Sequence, residues 1–344
     1  MADAPPTSPR RVLIIKPSSL GDVVTAMPVL RGLRRAFPAA HLTWLIGTSC
    51  RGLIAHDGDL NETIPFDRAR LGRWWRSPSA AGELLALLRR LRRDRYDWVI
   101  DLQGLFRSGM FSAATGAAVR AGFADAREGA PLFYTHPFAS RQPHTVDRNI
   151  DLLASLGVSA AGTDMNLHVA PEARQWTEEF LRGKGLAGGD FLICVPPTRW
   201  PTKILPVRHW RTVVAALGKL LPVMLLGTAN DIELCRAVAE GNSGVDSLAG
   251  LTDVPRMVGL IAASSGVICS DSAAMFIAPA VGVEVLAVIG PTRLEMTGPY
   301  PAGRAIVSDV ACQGCRRRRC PHATCMELLD PQEIIASARE MLRR

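Results

Sequence analysis

Several signals are missing from this chain of 344 residues, and each absence narrows what it can be. No segment runs eighteen apolar residues without interruption, so an ordinary membrane-crossing helix is excluded. The opening stretch MADAPPTSPRR has no apolar segment behind its charges, so no signal peptide is expected and the protein is assigned to the cytoplasm. Neither the GxGxxG of dinucleotide folds nor the glycine and lysine spacing of a Walker loop follows the first strand. Aromatic residues are only 6% of the chain, which argues against a stacking platform for single strands, and nucleic acid is not an expected partner.

What is present is the balance of a globular protein. Hydrophobic residues are 48% and charged residues 21%, enough to bury a large core, and the length suits two domains better than one. The net charge of +8, with a pI near 9.4, predicts attraction to an anionic partner such as a phospholipid surface or a phosphorylated substrate. In a reducing cytoplasm the eight cysteines read as thiols or metal ligands before they read as disulfides.

Along the chain, short apolar runs alternate with helix-periodic stretches. Arg11–Ile15, His41–Ile46 and Trp98–Leu102 read as strands, and Val23–Ala36 and Ala80–Arg95 as helices. A second series follows, with strands at Phe191–Val195, Val223–Gly227, Gly266–Ser270 and Glu284–Ile289. Its helices fall at Val207–Lys219, Asp231–Gly241, Val254–Ala263 and Ala273–Val281. Two successive βα series imply an α/β chain with two parallel-sheet, Rossmann-like domains. The polar segment Ser159–Gly189, with a helix over Pro171–Lys184, places the boundary near residue 170. The domains are then 1–170 and 171–330, followed by an amphipathic helix over Pro331–Arg344 that is expected to brace the first domain.

In such sheets ligands gather at the carboxyl ends of the strands, so the residues just after each strand carry the information. Lys16-Pro-Ser-Ser-Leu-Gly-Asp22 follows the first strand and opens a helix. Asp22 there can cap the helix, or it can take the proton of an attacking alcohol. Together with Val23-Val-Thr-Ala-Met-Pro-Val-Leu30, this segment resembles the opening motif of glycosyltransferase family 9, the ADP-heptose:lipopolysaccharide heptosyltransferases. Asp101-Leu-Gln-Gly-Leu-Phe-Arg-Ser108 and His144-Thr-Val-Asp-Arg-Asn149 are similar to two further family segments. So are Pro197-Thr-Arg-Trp-Pro-Thr-Lys203, Cys269-Ser-Asp-Ser-Ala-Ala-Met-Phe-Ile-Ala278 and Val288-Ile-Gly-Pro-Thr292.

The resemblance implies a GT-B architecture, two Rossmann-like domains facing a cleft, and a metal-independent glycosyl transfer that needs no cofactor. It makes Asp22 the catalytic base and Lys203 the cation beside the departing diphosphate. Ser19, Gly21, Thr198, Lys203, Glu233, Thr252, Asp271, Ser272 and Ala273 would bind the nucleotide-sugar donor, with ADP-heptose the leading candidate. Asp101, Gln103, Arg107 and Arg148 would face a lipid-linked or oligosaccharide acceptor, presented at the inner surface of the membrane. In the Asp271 motif this sequence departs from the family: Ala273 stands for its glycine, Ala274 for its proline and Phe276 for its histidine. Phenylalanine donates no hydrogen bond, which leaves room for a different nucleotide sugar, or for a binding protein of this fold without catalysis.

Near the end, Cys312, Cys315, Cys320 and Cys325 enclose the run Arg316–Arg319, with His322 beside them. The count suffices for a tetrahedral zinc site. Tails of this kind are also common in the resembled family, which favours a structural role, with the arginines facing anionic lipid, acceptor phosphate or solvent.

Overall fold

A computed structural model describes residues 8–301 and 303–343. The leading residues 1–7, read above for a signal peptide, and Arg344 of the expected last helix lie outside the described residues. The chain divides into two compact units, Met1–Met165 and Asn166–Arg344, so the division falls a few residues before the expected one.

The first unit holds one six-stranded sheet. Its strands are β1 (Arg11–Ile15), β2 (His41–Gly47), β3 (Glu62–Phe66), β4 (Trp98–Asp101), β5 (Val119–Phe123) and β6 (His136–Phe138). They lie in the order β3-β2-β1-β4-β5-β6, and every neighbouring pair is parallel. The second unit repeats the plan with β7 (Leu192–Val195), β8 (Val223–Leu225), β9 (Val245–Ser247), β10 (Val267–Ser270), β11 (Val285–Ile289) and β12 (Arg304–Val307). Their order, β12-β11-β10-β7-β8-β9, is the same winding.

The central strands were legible because helices cover both faces of a parallel sheet, so β1, β4, β10 and β11 are apolar at almost every position. The sequence reading leaves β3, β5, β6, β9 and β12 unassigned. All but β5 are edge strands, half-exposed, and β3 and β6 carry Pro65 and Pro137, which edges tolerate. The inner β5 is interrupted by Arg120 and Gly122, which hides its apolar pattern.

Where one helix was expected over Val23–Ala36, there are two, Leu20–Val24 and Met27–Ala36. Pro28 lacks the N–H that would continue the first helix, and the Val29 amide turns back to Ala26 instead. The Thr25 carbonyl freed by this break accepts from the buried Asn149 side chain at 3.0 Å.

The terminal helix, Pro331–Met341, corrects an expectation. Ile334, Ile335, Ala338 and Met341 are buried in the core of the second unit, among Trp210, Val214, Leu217 and Val288. Its apolar stripe therefore covers the helix Val207–Leu217 of its own unit rather than the first unit.

Candidate active site

In both sheets the strand order reverses beside the first strand of the unit, between β1 and β4 and between β7 and β10. Chains leave the two strands in opposite directions there, opening a crevice at the carboxyl ends. The candidate residues collect at these two places.

In the first unit Asp22 is the third residue of the helix Leu20–Val24. Its Oδ2 accepts from the Ser19 amide at 2.9 Å and the Ser19 hydroxyl at 2.6 Å, so the carboxylate caps its helix as the bland reading expects. Capping does not bury it. The side chain keeps 43% exposure, and Oδ1 lies 3.7 Å from the Lys16 ammonium. Lys16 is itself buried and donates to the Leu102 carbonyl at 2.7 Å, tying the loop after β1 to the loop after β4. The sequence offers no partner for Lys16, since only the fold brings Leu102 beneath it. Gly21 is buried under this turn.

Asp101 ends β4 and is fully buried, which corrects its placement against an acceptor. Oδ1 accepts from the Gln103 and Gly104 amides at 2.9 and 3.2 Å, and Oδ2 from the Tyr134 hydroxyl at 2.7 Å. Burial raises its pKa above the ordinary carboxylate range, opposed by the hydrogen bonds from Tyr134, Ser108, Gln103 and Gly104. Tyr134 reaches this carboxylate by crossing Gly122, where a Cβ would meet its ring at 2.3 Å. Gly104 completes the turn with φ +64, a conformation that suits glycine. Asp101 thus shapes the loop that presents Gln103 and Arg107.

The Gln103 amide oxygen is buried and has no donor among the described residues. The Arg107 guanidinium lies 5.6 Å from the Phe66 ring, and burial, then the neighbouring Arg68, lowers its pKa. Arg148 is engaged by Asp125 at 2.7 Å and lies over Phe123, so it is not a free cation.

In the second unit the loops after β7, β10 and β11 interlock. Thr198 Oγ1 donates to the Asp271 carbonyl at 3.0 Å, and Ser270 Oγ to the Pro196 carbonyl at 2.9 Å. Lys203 Nζ stands 2.9 Å from Asp271 Oδ2, with side-chain exposures of 13% and 8%. The Thr292 hydroxyl donates to the same Asp271 oxygen, a partner that the sequence reading quoted but did not assign. The Lys203 ammonium also lies 4.4 Å from the Trp200 ring centre, on the face that favours a cation.

Ser272 and Ala273 follow Asp271 before the helix Ala274–Ala280. Ala273 has φ −61, which an alanine adopts without strain, and Ala274 is the first helical residue, where the family's proline would also fit. Phe276 is buried at the position of the motif histidine.

The loops after β8 and β9 adjoin this cluster. A Cβ on Gly227 would meet Pro197 at 3.3 Å, and the Gly250 amide donates to the Gly227 carbonyl at 3.0 Å. Asp231 caps the turn at Thr228, its carboxylate accepting from the Thr228 amide at 2.8 Å and hydroxyl at 2.6 Å. Glu233 is exposed and paired with Arg236 at 3.0 Å, while Thr252 is half-buried.

Cys194, Cys235, Cys269, Cys312, Cys315, Cys320 and Cys325 are free thiols. Burial pushes the Cys194 and Cys235 thiols up to about 12 and Cys269 higher, so they behave as core residues. Among the described residues no three His, Cys, Asp or Glu side chains are arranged to hold a metal ion, the terminal cysteines included. Their loop instead docks on the candidate donor loops. The Arg316 amide donates to the Pro291 carbonyl at 2.6 Å, Thr202 to the Arg317 carbonyl at 2.9 Å, and Arg318 lies over Trp200.

Comparison with known proteins finds relatives of the same fold. Lipopolysaccharide heptosyltransferase 1 of Pseudomonas aeruginosa is 27% identical over 362 residues, covering 96% of this chain and 98% of the relative. A glycosyl transferase family 9 structure from Veillonella parvula superposes with a TM-score of 0.82 at 20% identity, covering 98% of each chain. An Escherichia coli heptosyltransferase solved with ADP-2-deoxy-2-fluoro heptose gives 0.76 at 25% identity, covering 96% of this chain and 99% of its own. The fold is GT-B, and among the described residues no helix is long and apolar enough to cross a membrane. With the model of glycosyltransferase family 9 (heptosyltransferase) matching residues 84–325, the chain belongs to that family of transferases.

Proposed function

We propose that the protein transfers a heptose from ADP-heptose to a lipopolysaccharide-type acceptor at the cytoplasmic face of the inner membrane, with Asp22 as the base. The observation that carries this reading is the Asp22 carboxylate, fixed by Ser19 and Lys16 at a switch point yet 43% exposed. A group oriented by its neighbours and open to an incoming hydroxyl is what general-base catalysis requires.

In the proposed step the acceptor hydroxyl gives its proton to Asp22 and its oxygen forms the new bond to the anomeric carbon. The bond from that carbon to the diphosphate breaks, and ADP leaves with the electron pair. Lys203 uses one N–H on Asp271, which leaves two donors for the phosphate oxygens as negative charge develops. Thr198 and Ser272 supply hydroxyls beside it, and Glu233 and Thr252 lie on the loops nearest a nucleoside. Gln103 and Arg107 face the acceptor.

Asp22→Asn keeps the capping geometry and removes the base. Turnover should fall by about 10²–10⁴-fold with ADP-heptose binding intact by calorimetry. Near-normal turnover in a folded variant would remove Asp22 from the chemistry. The buried Phe276 favours a second reading, in which the donor carries a different sugar. Calorimetry with ADP-heptose against GDP- and UDP-sugars separates the two.

A further inference from the structure

We infer that the carboxyl edge of the first unit's sheet, the edge that holds Asp22, is a docking surface for an anionic lipid bilayer. The inference rests on the proposed reading that the acceptor is lipid-linked. Five large apolar side chains of the first unit are exposed: Trp74, Trp75, Leu85, Phe106 and Leu132. Four of them lie on segments that follow the carboxyl ends of β3, β4 and β5. Trp74 and Trp75 are 54% and 62% exposed, and Leu132 is 89% exposed.

These segments join into one surface. Phe106 packs edge-on against Phe133 at 5.3 Å, and the Arg127 amide donates to the Gly104 carbonyl at 3.0 Å. Arg107 lies over Phe66, close enough to Arg68 for the two charges to repel. The Trp pair is anchored from below, because Leu71 is buried in the core and the Trp74 amide donates to its carbonyl. The tryptophans themselves are left outside.

The charge around them is predominantly positive. Arg68, Arg73, Arg76 and Arg127 are exposed and have no ion-pair partner among the described residues, and the Arg76 guanidinium lies 4.0 Å from the Trp75 ring. Of the nearby acids, Asp67 caps the helix Arg68–Leu71, Glu83 is paired with Arg70, and Glu128 accepts from the Phe106 amide at 3.3 Å beside Arg107, so the arginines outnumber the acids left to face a bilayer. Exposed tryptophans ringed by arginines match a membrane interface, where indole rings sit at headgroup level and cations meet anionic lipid. In water the same apolar surface has no compensating contact. Docked this way, the edge would present Asp22 to an acceptor embedded in the bilayer.

The full-length chain is sedimented with phosphatidylcholine vesicles, with and without phosphatidylglycerol. It should pellet with the anionic vesicles, less so as salt rises, and its tryptophan emission should shift to the blue. Arg73→Gln with Arg76→Gln should weaken partitioning by about fivefold for each arginine. Trp74→Ser with Trp75→Ser should abolish the emission shift and most of the binding, while ADP-heptose binding stays at wild-type strength. Leu132→Asp, on a separate loop, should weaken binding in the same direction. No preference for anionic vesicles in the wild type, or wild-type partitioning of the folded Trp variant, would overturn the inference. Turnover on a deacylated, soluble acceptor should be unchanged in these variants. Its absence in the wild type would count against the proposed reaction and leave the docking surface standing.

Discussion

Replacing Lys203 by methionine separates what the Lys203–Asp271 pair does for the fold from what it does for the reaction. The pair is 2.9 Å long with exposures of 13% and 8%, so neither charge is well hydrated. Breaking a fully buried pair by removing one partner costs about 3–5 kcal/mol. Asp271 would keep the Thr292 hydrogen bond, so the loss should be nearer the ~1–3 kcal/mol of a buried group left one partner short. Urea unfolding of the variant measures it. On the reaction, the bound diphosphate is already anionic and gains further charge as it departs, so removing the cation should raise KM for the donor and lower kcat by about 10²–10³-fold. Substrate titrations at saturating acceptor give both constants. A double-mutant cycle with Asp271→Asn, which preserves the Thr292 contact, should return a coupling of about 0.5–3 kcal/mol in stability. If Lys203→Met loses stability but keeps kcat, Lys203 is a structural partner of Asp271 and its assignment to the leaving group is refuted.

Tyr134→Phe removes one hydrogen bond to the buried Asp101 carboxylate, whose folded pKa burial already raises above its ordinary value. The stability held by such a group is present below the unfolded pKa and lost as pH rises through the folded one, so the variant's deficit should be small in acid. It should widen towards neutral pH, to about 1.5–3 kcal/mol, and a deficit that does not change with pH in thermal melts would contradict the buried-carboxylate account. Ala273→Gly restores the family residue at φ −61, so it should destabilise by about 0.5–1 kcal/mol with no gain in donor affinity. A tenfold tighter calorimetric binding would show that the alanine obstructs the donor. Ending the chain at Asp330 removes Ile334, Ile335, Ala338 and Met341 from the second unit's core, and that unit should lose its cooperative unfolding transition. A truncated chain that melts like the full one would contradict the placement of the last helix.

The sequence by itself determined the inner strands of both sheets except β5, where Arg120 and Gly122 break the apolar run. Arg11–Ile15, Trp98–Asp101, Val267–Ser270 and Val285–Ile289 are covered on both faces and are apolar at almost every position, a pattern visible without a structure. It also located Asp22, Lys203 and Asp271, because ligand loops follow strand ends and these loops carry family motifs. Local chemistry marked the capping role of Asp22, since a carboxylate near a helix start sees its partner within three residues.

Only the tertiary structure decided which of these groups remain reachable. Asp101 reads like any polar residue after a strand, but Tyr134, 33 positions later, and the turn at Gly104 enclose it completely. Arg148 is held by Asp125, 23 positions away. The Lys16 contact with Leu102 and the Thr292 contact with Asp271 join loops that only parallel pairing brings side by side. The last helix shows the same limit. Its amphipathic pattern fixes that one face must be buried, while the partner that buries it depends on where the chain comes to lie after Cys325.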